Sequence, residues 1–300
     1  MQPARTVAAA TVPALAAIAV GYRRVLREID RVAAVVPPLQ GVVHNIRRRW
    51  GSVRYRVVNE DAPGRPLVLV HGWGRTADSA FWPLMPAIDG PLVAMDLPGH
   101  GASDLRRRFT FDIAAEALLA VCEHAGLERP SLTAHSMGGP VALTAFRKAG
   151  ASAFSHFTAV ATSAYWARPR NWIMVAAAPY VMAAGSPVLV RNQRSEMNRH
   201  RDSAGHIAWE YDQRPSRRVL TESALELRRF DARTWSDVEL PPTTWIVTRR
   251  DGVIPVHDQR SSARHFGAEV LEFDAEHSII HDSPALLASA LDSRPGLVAV

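Results

Sequence analysis

Cysteine and lysine are almost missing from this chain: Cys122 and Lys148 are the only ones in 300 residues. A single thiol cannot close an intramolecular disulfide or build a cysteine zinc site, so disulfide scaffolds and zinc modules are excluded. Cys122 lies in a helical pattern from Ala114 to Ala125 and reads as a small buried hydrophobe. There is no internal repeat, low-complexity tract or phosphate-cradling glycine loop, which removes solenoids and P-loop enzymes. The pair His277 and His281 has histidine-ligand spacing but appears without a supporting ligand set, so neither a metal nor any other cofactor is expected. Thirty-five basic residues stand against 29 acidic ones, a net charge of +6 carried almost wholly by arginine. Clusters at Arg23-Arg24, Arg47-Arg48-Arg49 and Arg106-Arg107-Arg108 accompany no nucleic-acid-binding module. Solvated faces or contact with anionic lipid are therefore expected, and no nucleic acid.

What is present is apolar and alternating. With 47% hydrophobic residues the chain can bury one substantial core. Strands are predicted at Ser52 to Asn59, Pro66 to Val70, Leu92 to Met95, Ser131 to Ala134, Phe157 to Ala161, Thr244 to Thr248 and Glu269 to Phe273. Helices are predicted at Phe111 to Ala125, Met137 to Lys148, Val256 to Phe266 and Pro284 to Leu291. This order predicts an α/β fold with a mostly parallel sheet covered on both faces, and functional groups at the carboxyl ends of its strands.

Ser136 lies in Ala134-His135-Ser136-Met137-Gly138-Gly139, between an apolar strand run and a helix candidate. A serine on such a strained strand-to-helix turn needs small neighbours two residues away on either side, here Ala134 and Gly138. Taken alone, the hexapeptide also suits an ordinary serine N-cap. Three further segments converge on nucleophilic chemistry. His71-Gly72-Trp73-Gly74 follows the run Leu67 to Val70, Asp251 follows Trp245 to Thr248, and His277 follows Val270 to Phe273. Each is predicted at the end of a strand.

The order Ser136, Asp251, His277 on strand ends resembles the α/β-hydrolase family, over roughly residues 52 to 295. Asp96-Leu97-Pro98-Gly99-His100-Gly101-Ala102-Ser103 is similar to that family's loop two elements before the serine turn. Asp251 with Pro255 resembles its acid loop, with Thr248 in place of a frequent glycine. His277 with Asp282 and Pro284 resembles its histidine loop and selects His277 over His281, although Glu276 stands where glycine is usual. The resemblance implies Ser136 as nucleophile, His277 as base and Asp251 as the residue orienting it. It also implies an oxyanion hole from the backbone N–H groups of Trp73 and Met137, with His71 orienting its loop.

Between about Tyr165 and Arg229 the alternation stops, and Trp166, Trp172, Tyr180, Trp209 and Tyr211 accompany helical patches at Trp172 to Met182 and Thr221 to Phe230. This reads as an inserted helical cap, with aromatics forming its own small core or lining a pocket for a small hydrophobic acyl substrate. Residues 1–50 are set apart from a hydrolase domain at 51–300. Thr6 to Tyr22 carry no charge. Tyr22, Val25, Leu26, Ile29, Val32 and Val36 then form a helical apolar stripe beneath Arg23, Arg24, Arg27 and Arg31, ended by Pro37-Pro38. Arginines after the apolar stretch rather than before it predict a cytoplasmic domain, attached peripherally to an anionic membrane surface or with this helix docked on its own core. The expected activity is serine hydrolysis of a carboxylic ester or similar acyl bond. Acyl transfer, carbon–carbon cleavage or perhydrolysis with the same triad, and a non-catalytic binding role remain as alternatives.

Overall fold

The computed structural model describes residues 3–166, 176–177, 179–183 and 185–292. In chain order the elements are α1 (Pro3–Asp30), β1 (Val42–Arg48), β2 (Gly51–Val58), β3 (Leu67–Val70), α2 (Ala77–Phe81), β4 (Leu92–Met95), α3 (Phe111–His124), β5 (Ser131–His135), α4 (Gly138–Ala149) and β6 (His156–Val160). They continue with α5 (Pro187–Arg199), α6 (Ala204–Asp212), α7 (Arg217–Arg229), β7 (Thr243–Thr248), α8 (Val256–His265), β8 (Glu269–Phe273), α9 (Ile279–Asp282) and α10 (Pro284–Asp292). They fall into two compact units, Pro38–Pro179 with Gln213–Val300, and Met1–Pro37 with Tyr180–Asp212.

The larger unit holds an 8-stranded sheet in the order β1-β2-β4-β3-β5-β6-β7-β8. The pairs β1/β2 and β2/β4 are antiparallel; every later neighbour is parallel. Strands β3 and β4 are short apolar runs buried at every residue, as a strand covered on both faces requires. Their alternate side chains feed two cores. Val68, Val70, Val93 and Met95 join α3, α4 and Ala263 of α8 on one face, and Leu67, Leu69, Leu92 and Ala94 join α2 and α10 on the other. The register sets Val70 beside Ala134 and Val160 beside both His135 and Ile246, so the parallel strands end along one edge. The residues that follow β3, β5, β7 and β8 therefore share that edge.

In the smaller unit, Leu189, Met197, Ile207 and Tyr211 of α5 and α6 form a core against which Ile29 of α1 and Val32 pack. Ser186 caps α5 by accepting from Leu189 N–H at 3.1 Å, with Pro187 at the first helical position, where its missing N–H costs nothing. Arg194 pairs with Glu28 at 3.1 Å, and the Tyr22 hydroxyl donates to the Gly185 carbonyl. Among the described residues no helix is long and apolar enough to cross a membrane.

Several elements differ from the sequence expectation. Strand β1 lies within the stretch assigned to the amino-terminal segment; only Ile46 of its residues is buried, so pairing with β2 creates it rather than any apolar alternation. Helix α1 ends at Asp30, ahead of Pro37-Pro38. Val32 and Val36 thus leave the helical stripe, because Val35 N–H bonds to the Gly205 carbonyl at 3.0 Å and draws the chain out extended. The predicted helix at Thr221 starts earlier, at Arg217, where Ser216 accepts from Val219 N–H. The stretch read as one insertion divides, with Tyr180–Asp212 in the smaller unit and α7 in the larger. Its aromatics divide too: Tyr211 is in the small core, Trp166 packs on the large one and Tyr180 is exposed. Trp172 lies outside the described residues.

Candidate active site

The turn from β5 into α4 holds Ser136 at φ +54°, a left-handed conformation that an L-residue adopts only under restraint, at a cost of roughly 1–3 kcal/mol. The restraints are present. Ser136 N–H donates to the Val160 carbonyl at 3.0 Å, and the Ser136 carbonyl accepts from the Thr162 hydroxyl at 2.6 Å and from Gly139 N–H at 3.0 Å. Small residues are obligatory here. A Cβ on Gly138 would meet the Val70 carbonyl oxygen at 2.5 Å, and one on Gly139 would meet Thr162 Oγ1 at 2.2 Å.

The strand ends bring three distant residues into a hydrogen-bonded chain. Ser136 Oγ lies 3.0 Å from His277 Nε2, and His277 Nδ1 lies 2.9 Å from Asp251 Oδ2. An Nδ1–H donating to the carboxylate leaves Nε2 with its lone pair toward the serine. The Asp251 side chain is fully enclosed and that of His277 is 20% exposed. Burial pushes the Asp251 carboxyl up. The hydrogen bond and charge of His277, with N–H donors from Ile254 and Val253, outweigh that and hold it below the ordinary carboxylate range. Thr248 and Gln259 complete the cage, each donating to Oδ2 at 2.9 Å. Asp251 is thus ionised and immobile behind the imidazole.

Two more histidines brace this arrangement. His71 is wholly buried; desolvation first, then the neighbouring His100, drives its imidazole well below the usual range. Neutral, it donates from Nδ1 to the Gly72 carbonyl at 2.8 Å and accepts Leu97 N–H at Nε2 at 3.0 Å, tying its loop to the one after β4. That loop presses on the serine: a Cβ on Gly72 would come 3.0 Å from Ser136 Cβ. His135, pushed down to about 3 by desolvation and then by His277, is also neutral. Its Nε2 is 3.0 Å from the His277 carbonyl and must therefore carry the proton it donates. The two rings tilt against each other at 5.0 Å.

The structure thus brings Ser136, His277 and Asp251 together, with Met137 buried at the start of α4. The Trp73 indole N–H donates to Ser223 Oγ at 2.9 Å and to the Leu220 carbonyl at 3.2 Å, which fixes this side chain against α7. His281 stands apart from the hydrogen-bonded chain, edge-on to Trp82 at 6.3 Å. Asp258 pairs instead with His257 at 2.8 Å. Sequence reading gave no role to His135, Thr162 or Gln259. For His135 the signal was its place between a strand and the serine; Thr162 and Gln259 lie in no motif, and only the fold brings them near.

The family model described as alpha/beta hydrolase fold matches residues 65–284. A curated relative, the dihydrolipoyllysine-residue acetyltransferase component of an acetoin cleaving system from Pseudomonas putida, is 40% identical over 27% of this chain and 22% of its own length. The magnesium-chelatase 30 kDa subunit of Rhodobacter capsulatus is 35% identical over 32% of this chain and 36% of its own. A pimeloyl-(acyl-carrier protein) methyl ester esterase of Neisseria meningitidis is 35% identical over 26% and 24%. The chain thus spans only about a quarter to a third of these relatives. Solved structures match more of it. A hydrolase from Pseudomonas aeruginosa superimposes with TM-score 0.70 at 20% identity over 85% of this chain and 98% of that one. The enol-lactonase of Burkholderia xenovorans does so with TM-score 0.70 at 17% identity over 83% and 98%. Sheet order, serine turn and a family match across most of its length agree: the chain belongs to the α/β-hydrolase fold family.

Proposed function

We propose that this chain is a serine hydrolase that cleaves a carboxylic ester or related acyl bond through an acyl-enzyme. The observation that carries this is the continuous chain from Ser136 Oγ to His277 Nε2 at 3.0 Å and from His277 Nδ1 to Asp251 at 2.9 Å. A serine hydroxyl is a weak nucleophile at neutral pH, so its proton must leave as it attacks. His277 Nε2 takes that proton while Oγ bonds to the carbonyl carbon, and Asp251 stabilises the imidazolium that forms. The backbone N–H groups of Met137 and Trp73 are the proposed donors to the tetrahedral oxyanion. Collapse expels the alcohol, which leaves with the proton from His277. Water then gives a proton to His277 and attacks the acyl carbon, and Ser136 recovers its proton as the carboxylic acid departs.

Two similar proteins have names that denote acyl–oxygen bonds, a methyl ester esterase and an enol-lactonase, which supports this bond class. The insertion, read as a helical cap, would then shape the pocket. Support comes from α7, whose Leu220 and Ser223 hold the Trp73 indole beside the serine loop. The test is covalent labelling of the purified chain by a fluorophosphonate, followed by a panel of esters of increasing acyl length. Labelling that disappears in Ser136→Ala, with hydrolysis of part of the panel by the unaltered chain, is expected. Appreciable ester hydrolysis by Ser136→Ala would overturn the reading. Transfer to an added alcohol, at the expense of hydrolysis, would redefine the chain as an acyltransferase.

A further inference from the structure

Helix α1 changes character along its length. From Tyr22 onward it is amphipathic: Tyr22, Val25, Leu26 and Ile29 are partly covered, and Arg23, Arg24 and Arg27 are exposed. One turn earlier the cover ends. Ala16, Ala17, Ile18, Ala19 and Val20 are all exposed, with Ile18 at 68% and Val20 at 62%. Five consecutive helical residues point in every direction around the axis, so this part of the helix is apolar all round and open all round. Water is a poor solvent for such a surface. A helix that is hydrophobic on all sides belongs inside a protein core or in lipid.

We infer that the amino-terminal part of α1 inserts into the surface of an anionic lipid bilayer, with the arginines that follow seated among the headgroups. Charge argues for this occupant. The uncharged stretch Thr6 to Tyr22 is followed directly by Arg23, Arg24, Arg27 and Arg31, all exposed, and the adjoining helix of the same unit adds exposed Arg191 and Arg199. Glu28, an acidic residue among them, is occupied by Arg194 at 3.1 Å. An apolar helix with a guanidinium collar matches the two layers of such a surface, acyl chains beneath and phosphates above. Insertion rather than crossing follows from composition, since alanine dominates the stretch and no described helix is apolar enough to span. The docked half of α1, held by Ile29 on the small core, would bring the smaller unit to the membrane with it.

The test uses the full chain and vesicles of either pure phosphatidylcholine or phosphatidylcholine with phosphatidylglycerol. Binding is read by co-sedimentation at two salt concentrations. Binding to the anionic vesicles, weaker on the neutral ones and falling as salt rises, is expected. The double variant Ile18→Asp with Val20→Asp should lose at least tenfold in affinity, and Arg23→Glu with Arg24→Glu should lose the preference for anionic lipid. All four side chains are exposed, so circular dichroism and the thermal midpoint should match the unaltered chain. Binding to neither vesicle type, or equal binding by the Ile18/Val20 variant, overturns the inference. So does a chain that is dimeric in solution and becomes monomeric in that variant without ever binding vesicles, because the apolar turn then belongs to a second copy. None of these readouts depends on ester hydrolysis, so the failure of either proposal leaves the other standing.

Discussion

Two buried carboxylates of the larger unit are held in opposite ways. Asp78, on α2, faces two guanidiniums: Arg56 at 2.8 and 3.0 Å, and Arg54 at 2.6 Å, with Arg54 also reaching Asp96 at 3.4 Å. Burial pushes the Asp78 carboxyl up, but these arginines more than reverse it. Asp251 is also buried and also held low, yet its donors are two backbone N–H groups, a hydroxyl, an amide and one imidazole. A carboxylate fully neutralised by permanent cations has no charge left to offer. One held by neutral dipoles and a single imidazole keeps its negative charge as that imidazole takes a proton, and its field then stabilises the imidazolium. The first arrangement fastens strand β2 to α2; the second is suited to proton transfer.

Substitutions should separate the two regions. The largest effect is expected at the end of the Asp251 chain: Ser136→Ala should lower kcat by about 10⁴ to 10⁶ fold with an unchanged melting curve. Asp251→Asn should follow, losing about 10⁴ fold because an amide there favours the wrong imidazole tautomer. Asp258→Asn should leave turnover near normal, and steady-state kinetics on one ester would rank all three. In the arginine cluster the loss should instead be of stability. Arg56→Met strands part of a buried negative charge and should cost about 3–5 kcal/mol in urea unfolding, with kcat per folded molecule unchanged. A large kcat effect there would erase the distinction drawn between the two carboxylates.

His135 sharpens it from the other side. Replacing it by Phe leaves the His277 carbonyl without its donor and loosens the placement of the imidazole against Ser136, so kcat should fall roughly ten- to a hundredfold while KM holds. An equal rise in KM would mean that His135 shapes the pocket instead. The smallest effect concerns pH. Asp78 is more acidic folded than unfolded, so its stabilisation is present above the unfolded carboxylate pKa and is lost as pH falls through the folded one. Asp96, raised by desolvation despite Arg54, works the other way, losing its contribution as pH rises. Unfolding midpoints below about pH 4 should fall for the unaltered chain and fall less steeply for Asp78→Asn.

Much of the larger unit was legible in the sequence because its strands are short apolar runs with turn residues at their ends. Buried parallel strands leave that signature whatever surrounds them. Leu92 to Met95 is the same span in the sequence pattern and in strand β4, and Ser136, Asp251 and His277 each follow such a run, with the resemblance separating His277 from His281. Strand β1 left no signature, since its single buried residue gives no alternation. Nor could spacing reveal Arg54 and Arg56 of β2 as partners of Asp78, because alternating arginines on an antiparallel strand read equally well as a solvated edge.

The chain's own order thus determined which side chains stand at strand ends and which turn must be strained: apolar periodicity and small residues around Ser136 are local properties. Tertiary structure alone decided what those side chains meet. His277 finds Asp251 across 26 residues and Ser136 across 141, Gln259 closes the acid cage from α8, and His135 stays neutral because folding removes its water. It also decided the fate of α1, a single helix in which Ile29 lies on the small core and Ile18 in the open. Hydrophobic pattern says which residues prefer to leave water; only the packed chain determines which of them have somewhere to go.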